Sequence, residues 1–165
     1  MISKLLRFLF NSFFSVKIYF SNKLYSVVLK KMGNNVKILK NTLISFPQNV
    51  EIEDGVFVNR GCFFQGNGGL IIKKNTIFGP GVNIYTSNHI FSDIKKTIRE
   101  QGDIYKSVLI DEDCWIGGNS IILPGVHIGK GSVIGAGSVV TKNIAEYSIA
   151  VGNPTRIIKN RQNYS

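Results

Sequence analysis

The chain has 165 residues, enough for one domain with a proper core, and its 17 glycines against 4 prolines suit many tight turns rather than disorder. Net charge is +10, which invites anionic partners such as membrane headgroups or phosphorylated small molecules; no RNA- or DNA-binding signature accompanies it, so nucleic acid ranks last. Two cysteines make no disulfide framework, no secretory signal is recognisable, and no apolar stretch approaches the roughly 20 residues of a spanning helix, so a cytoplasmic protein, soluble or surface-bound, is expected.

Residues 1–35 form a first segment. Ile2, Leu6, Leu9, Phe13, Val16, Phe20, Leu24 and Val27 recur in steps of three and four, the spacing of an amphipathic helix. Lys4, Arg7, Asn11, Ser15 and Asn22 lie off that stripe. Such a helix either closes the open end of a repeat stack or rests in a membrane interface through residues 1–32, and the two can coexist. Gly33-Asn34-Asn35 reads as the hinge into the next segment.

Residues 36–145 are a repeat. Ile110, Ile116, Ile122, Ile128, Ile134 and Val140 fall at every sixth position, and the same spacing links Ile72, Phe78 and Ile84, then Ile52, Val58 and Phe64, then Ile38 and Ile44. Three places after the later anchors stand Asp113, Asn119, Gly125, Gly131, Gly137 and Asn143, the residue types that tolerate positive φ in a sharp turn. One place further come small or β-branched residues, Cys114, Ser120, Val126, Ser132 and Ser138, so Cys62 and Cys114 read as buried structural thiols. Period six fits neither a helix nor a hairpin. It fits a parallel β-helix in which each aliphatic stacks on the coil below, an all-β fold.

Breaks in the period give the cross-section. The steps Ile44 to Ile52, Phe64 to Ile72 and Ile84 to Ile110 are longer than six and fall in every third unit. Three units per coil then place all the insertions on one edge of a triangular prism: near Pro47, across Gly66–Gly69, and in a loop over about 86–107. His89 stands at the start of that loop. Residues 146–165 are a C-terminal segment.

Asp111-Glu112-Asp113-Cys114-Trp115-Ile116-Gly117-Gly118, Ile122-Leu123-Pro124-Gly125-Val126-His127-Ile128-Gly129, the run from Val133 to Lys142 and Val151-Gly152-Asn153-Pro154 resemble the hexapeptide-repeat acyltransferases. The nearest pattern is the maltose, galactoside and polysaccharide O-acetyltransferase group, over about residues 50–160. The resemblance implies a left-handed parallel β-helix, a homotrimer with sites between subunits, and acetyl-coenzyme A as donor with no metal. It implies an O-acetyltransferase of a saccharide hydroxyl, in surface polysaccharide or glycoconjugate synthesis, by direct attack without an acyl-enzyme.

Site residues follow position by position from the same resemblance. His89, in Ser-Asn-His, matches the catalytic base, a role histidine suits at neutral pH, whereas His127 reads as structural. Asn59 matches an acceptor-binding asparagine, Asn67 falls near a second acceptor contact, and Trp115 matches a wall residue beside the histidine. Arg99 through Tyr105 resembles a family loop segment, which gives Arg99 and Asp103 a part in the acceptor pocket. The backbone N–H of Gly118 matches the donor to the thioester carbonyl oxygen. Ala136, Thr141, Lys142 and Arg156 match the coenzyme A groove, where cations suit its phosphates. Rival readings are N-acetylation of an amino or nucleotide sugar or a xenobiotic, and a non-catalytic β-helical scaffold. A zinc hydratase is disfavoured, since its site needs three histidines and the chain has two.

Overall fold

The structure, a computed structural model, describes residues 22–163. Short strands stack into three parallel sheets around one apolar interior, a β-solenoid. The first face carries Lys31–Met32, Val50–Ile52, Leu70–Ile72, Val108–Ile110 and His127–Ile128. The second carries Lys37–Ile38, Phe57–Val58, Ile77–Phe78, Trp115–Ile116, Val133–Ile134 and Ser148–Val151, to which Arg156–Asn160 adds antiparallel. The third carries Leu43–Ser45, Phe63–Gln65, Asn83–Ile84, Ile121–Ile122 and Val139–Val140. The parallel ladder thus starts at Lys31 and runs on to Val151, past both ends of the 36–145 repeat read from the period.

Every sixth-position anchor from Ile38 to Val140 is buried, because strand alternation turns it inward while its neighbours face out. Each such burial stabilises the stack by roughly 1.5–3 kcal/mol. Phe64 and Phe78, from two different faces, meet inside at 5.1 Å between ring centroids. The small slots are filled as expected: Cys62, Cys114, Ser120, Val126, Ser132 and Ser138 are all buried. Their hydroxyls are satisfied, Ser120 donating to the Gly117 carbonyl and Ser132 to that of Ala145.

Asp113, Asn119, Gly125, Gly131 and Gly137 all adopt positive φ. Asn143 does not; its Oδ1 instead accepts the backbone N–H of His127, closing a rung where the repeat ends. The insertions do share one edge. The chain leaves the third face at Ser45, Gln65 and Ile84 and re-enters the first at Val50, Leu70 and Val108.

Residues 22–28 are helical. Tyr25 and Leu29 pack on the first coil, the Tyr25 hydroxyl donating to the Thr42 carbonyl at 2.9 Å. Leu24 and Val27, the two described members of the apolar stripe, are instead 64% and 79% exposed. The rest of the stripe, Ile2 to Phe20, lies outside the described residues. No helix among the described residues is long and apolar enough to cross a membrane.

Candidate active site

At Thr86 the chain leaves the third face and builds a small antiparallel hairpin, Ser87–His89 against Asp103–Tyr105. The Lys106 N–H donates to the Thr86 carbonyl and the Ile90 N–H to that of Gly102. These bonds make Ser87/Tyr105 and His89/Asp103 the narrow, non-bonded pairs of the ladder, in which side chains come closest. The connection between the strands holds itself. Gln101 bonds both backbone groups of Asp93, and the Thr97 N–H and hydroxyl both donate to the Glu100 carboxylate.

Direct pairing places Asp103 Oδ1 2.6 Å from His89 Nδ1. A carboxylate only accepts, so the Nδ1 of neutral His89 carries the proton and Nε2 keeps its lone pair. Tyr105, two residues on and therefore on the same side of the strand, donates its hydroxyl to Asp103 Oδ2 at 3.4 Å. The His89 side chain is 73% exposed and stands between two concavities. One, of about 490 Å³, is lined by Gln65, Asn67, Tyr85, Ser87, Asn88, His89, Asp103, Leu123 and Pro124. The other, of about 520 Å³, is lined by His89, Ile98, Arg99, Gly102 and Asp103. An imidazole held in one tautomer over a mixed polar and aromatic cavity is equipped to take a proton from a bound hydroxyl.

A separate set of groups lies at the edge between the second and third faces. Gly118 donates its N–H to no group among the described residues, although its neighbours Gly117 and Asn119 both donate within the ladder. Gly79 one coil below has no side chain for a reason: a Cβ there would sit 2.4 Å from the Gly118 nitrogen. The free N–H is thus a fixed donor on a rigid turn.

Residues 107–142 match the family model described as bacterial transferase hexapeptide (six repeats). A maltose O-acetyltransferase from Clostridium difficile 630 is 33% identical and superposes with a TM-score of 0.77, over 84% of this chain and 73% of that one. The chain belongs to the hexapeptide-repeat acyltransferases. Galactoside O-acetyltransferase of Lactococcus lactis is 37% identical over 136 residues, 79% of this chain and 64% of that protein. A hexapeptide-repeat acetyltransferase from Vibrio cholerae, complexed with acetyl-coenzyme A, is 27% identical with a TM-score of 0.78, over 84% of this chain and 75% of that one. The chain spans 57% of the length of Staphylococcus aureus relatives that bear an acetyltransferase name and share 41% identity over 117 residues.

In this hexapeptide-repeat acyltransferase the residues singled out from the sequence separate into groups. His89, Asn67, Arg99 and Asp103 come together around the hairpin. Thr141, Lys142 and Arg156 line one cavity of about 350 Å³ at the last coils, so two cations and a hydroxyl converge there. Asn59, Gly118 and Ala136 sit on the other edge, Ala136 one coil beyond Gly118 and Asn59 two coils before it. The Asn59 Oδ1 is spent on the N–H of Arg60 at 2.8 Å. Asn67 is likewise engaged, its Nδ2 donating to Ser87 Oγ and its Oδ1 2.9 Å from the Thr86 hydroxyl oxygen. Trp115, 56% exposed, pairs with Ile77 and Val133 on the second face and lines a third cavity of about 560 Å³, away from His89 of its own chain.

His127 binds Asp111 Oδ2 at 2.6 Å, and Lys73 holds the other oxygen of that carboxylate at 3.1 Å. Burial pushes the Asp111 carboxyl up, but the hydrogen bonds from His127 and Lys73 outweigh it and leave it below the ordinary value. Sequence reasoning missed Gln65, Tyr85 and Ser87. For Gln65 and Tyr85 the available signal was the position directly after a third-face anchor, Phe64 and Ile84; Ser87 lies further on and had none. No group of three or more His, Cys, Asp or Glu able to hold a metal occurs among the described residues.

Proposed function

We propose that this protein is an acetyl-coenzyme A-dependent O-acetyltransferase of a saccharide hydroxyl, with His89 as general base. The observation that carries the reading is the His89–Asp103 pair at 2.6 Å on the rim of the cavity holding Tyr85. His89 Nε2 takes the hydroxyl proton as the oxygen attacks the thioester carbonyl carbon. The carbonyl oxygen, gaining negative charge, accepts the unused Gly118 N–H. The C–S bond then breaks, and the imidazolium returns its proton to the leaving sulfur. Thr141, Lys142 and Arg156 suit the charged end of the donor.

His89 and Gly118 occupy different prism edges, so one chain cannot bring both to the same carbon. A second copy must supply one of them, which supports a homotrimer with sites between subunits. A cytoplasmic enzyme of surface polysaccharide or glycoconjugate synthesis fits this reading. The exposed Leu24 and Val27 beside Lys23 favour peripheral contact with the inner membrane surface through residues 1–32, alongside the capping by Tyr25 and Leu29.

The test is thiol release from acetyl-coenzyme A over a panel of sugars, comparing wild type with His89→Ala. A loss on the order of 10²–10⁴-fold is expected for a general base. An unchanged rate removes His89 from the mechanism, and a base-stable product assigns N-acetylation instead.

A further inference from the structure

Every ladder N–H needs an acceptor, and the place where the chain departs from the third face leaves two without one. The Tyr85 N–H still donates upward to the Ile122 carbonyl. Thr86 and Ser87 follow, just before the hairpin. Ser87 faces Tyr105 in a non-bonded pair, so its N–H points away from the partner strand. Both N–H groups converge on one atom, the side-chain Oε1 of Gln65, at 3.1 Å from Thr86 and 3.3 Å from Ser87.

Gln65 is the last residue of its strand on the coil below, and its own carbonyl accepts the Thr86 hydroxyl at 2.8 Å. That same hydroxyl oxygen accepts the Gly68 N–H at 2.9 Å, and Thr86 is fully buried. A Cβ on Gly68 would meet the Thr86 carbonyl oxygen at 2.2 Å, so the bulge below must be bare for the root to sit there. The root of the hairpin is therefore clamped from one coil below, its two N–H groups by one side-chain oxygen and its hydroxyls by Asn67, the Gln65 carbonyl and the Gly68 N–H.

We propose that Gln65 is a positioning residue for the acyl transfer: its Oε1 closes the two rungs that the backbone cannot, and so fixes where the exposed hairpin holds His89. The proposal rests on His89 being the base. His89 lies three residues beyond Thr86, a lever of roughly 10 Å at strand rise. A tilt of about 6° at the root moves the imidazole by about 1 Å, a displacement that can cost a hundredfold in rate. Nothing else among the described residues accepts these two N–H groups. A carboxylate could replace the amide oxygen, whereas a hydrocarbon could not.

The experiment compares the full chain with Gln65→Leu, Gln65→Met and Gln65→Glu, in the wild-type and His89→Ala backgrounds. It reads kcat and KM for thiol release, melting temperature, and amide exchange at Thr86 and Ser87. Leu and Met are expected to speed exchange at both amides and lower kcat roughly 10- to 100-fold, with KM for acetyl-coenzyme A unchanged. Glu is expected to keep exchange and kcat within threefold of wild type on the order of one retained oxygen acceptor. In the His89→Ala background neither apolar variant lowers the residual rate further. Wild-type kcat in Leu and Met, unchanged exchange, equal loss in Glu, or the same loss without His89 each overturns the proposal. A His89→Ala variant as active as wild type overturns the acyl-transfer reading and the role of Gln65 with it. An inactive His89→Ala beside a fully active Gln65→Leu overturns the role of Gln65 alone.

Discussion

Replacing Asp103 with asparagine changes one atom and tests the dyad directly. The carboxylate accepts from His89 Nδ1 at 2.6 Å and thereby leaves Nε2 unprotonated. An amide can turn its NH₂ toward Nδ1, which favours the opposite tautomer with the proton on Nε2, useless as a base. The bond also loses its charge. A hydrogen bond to a charged group is worth about 1.5–3 kcal/mol, and each 1.4 kcal/mol is about tenfold in rate. The side chains are 73% and 39% exposed, so water competes for both partners and the effect belongs at the lower end. We expect kcat to fall about 10- to 30-fold in Asp103→Asn, with KM for acetyl-coenzyme A and melting temperature little changed, since the cavity proposed for the donor lies at the last coils. Steady-state thiol release, with thermal melts as control, measures this. A kcat within twofold of wild type would show that His89 needs no orienting carboxylate and would undo the dyad.

Other expectations rest on the scaffold. Burial pushes the Cys114 thiol up to about 11 and raises that of Cys62, so neither is expected to react with a disulfide reagent at pH 8 until the chain unfolds; fast labelling of the folded protein contradicts the packing. Asp111 is held below its ordinary value, so the stability it contributes is present above the unfolded carboxyl value of about 4 and is lost as pH falls through its folded value. Asp111→Asn should therefore cost roughly 1 kcal/mol at pH 7, with the gap to wild type shrinking below about pH 4; a gap that is the same at pH 3 and pH 7, read by denaturant melts, contradicts the assignment.

Much of the architecture was legible because a six-residue period leaves few alternatives. Ile110 to Val140 each need burial, Asp113 and Asn119 each permit a left-handed turn, and breaks in every third unit place the insertions on one edge whatever the handedness. His89 stood out as one of two histidines, at the mouth of the longest break. The period says nothing about pairing inside the loop. Asp103 lies fourteen positions from His89, and only the antiparallel register brings the two side chains together.

The local pattern also does not tell which polar groups already have partners within the chain. Asn59 and Asn67 look available in the sequence, yet the Asn59 Oδ1 accepts the N–H of the next residue, a common local turn contact, and Asn67 reaches one coil on to donate to Ser87 and meet the Thr86 hydroxyl. Gln65 was invisible for the converse reason. Its task depends on the spacing between coils, which brings residues 65 and 86 together. Trp115, matched to a wall residue beside the histidine, stands on the second face of its own chain, where strand pairing with Ile77 and Val133 fixes it, so only the His89 of a second copy could meet it.

The amino-acid order alone determined the inward aliphatics, the turns, the three-sided coil and the single loop that carries the histidine, since each follows from burial and φ preferences acting over six residues. The tertiary structure decided which carboxylate orients that histidine, which amide anchors its strand, and which groups lie on another edge altogether. Those contacts join residues on different coils or across the loop, and their distances depend on register and stacking that no local pattern encodes.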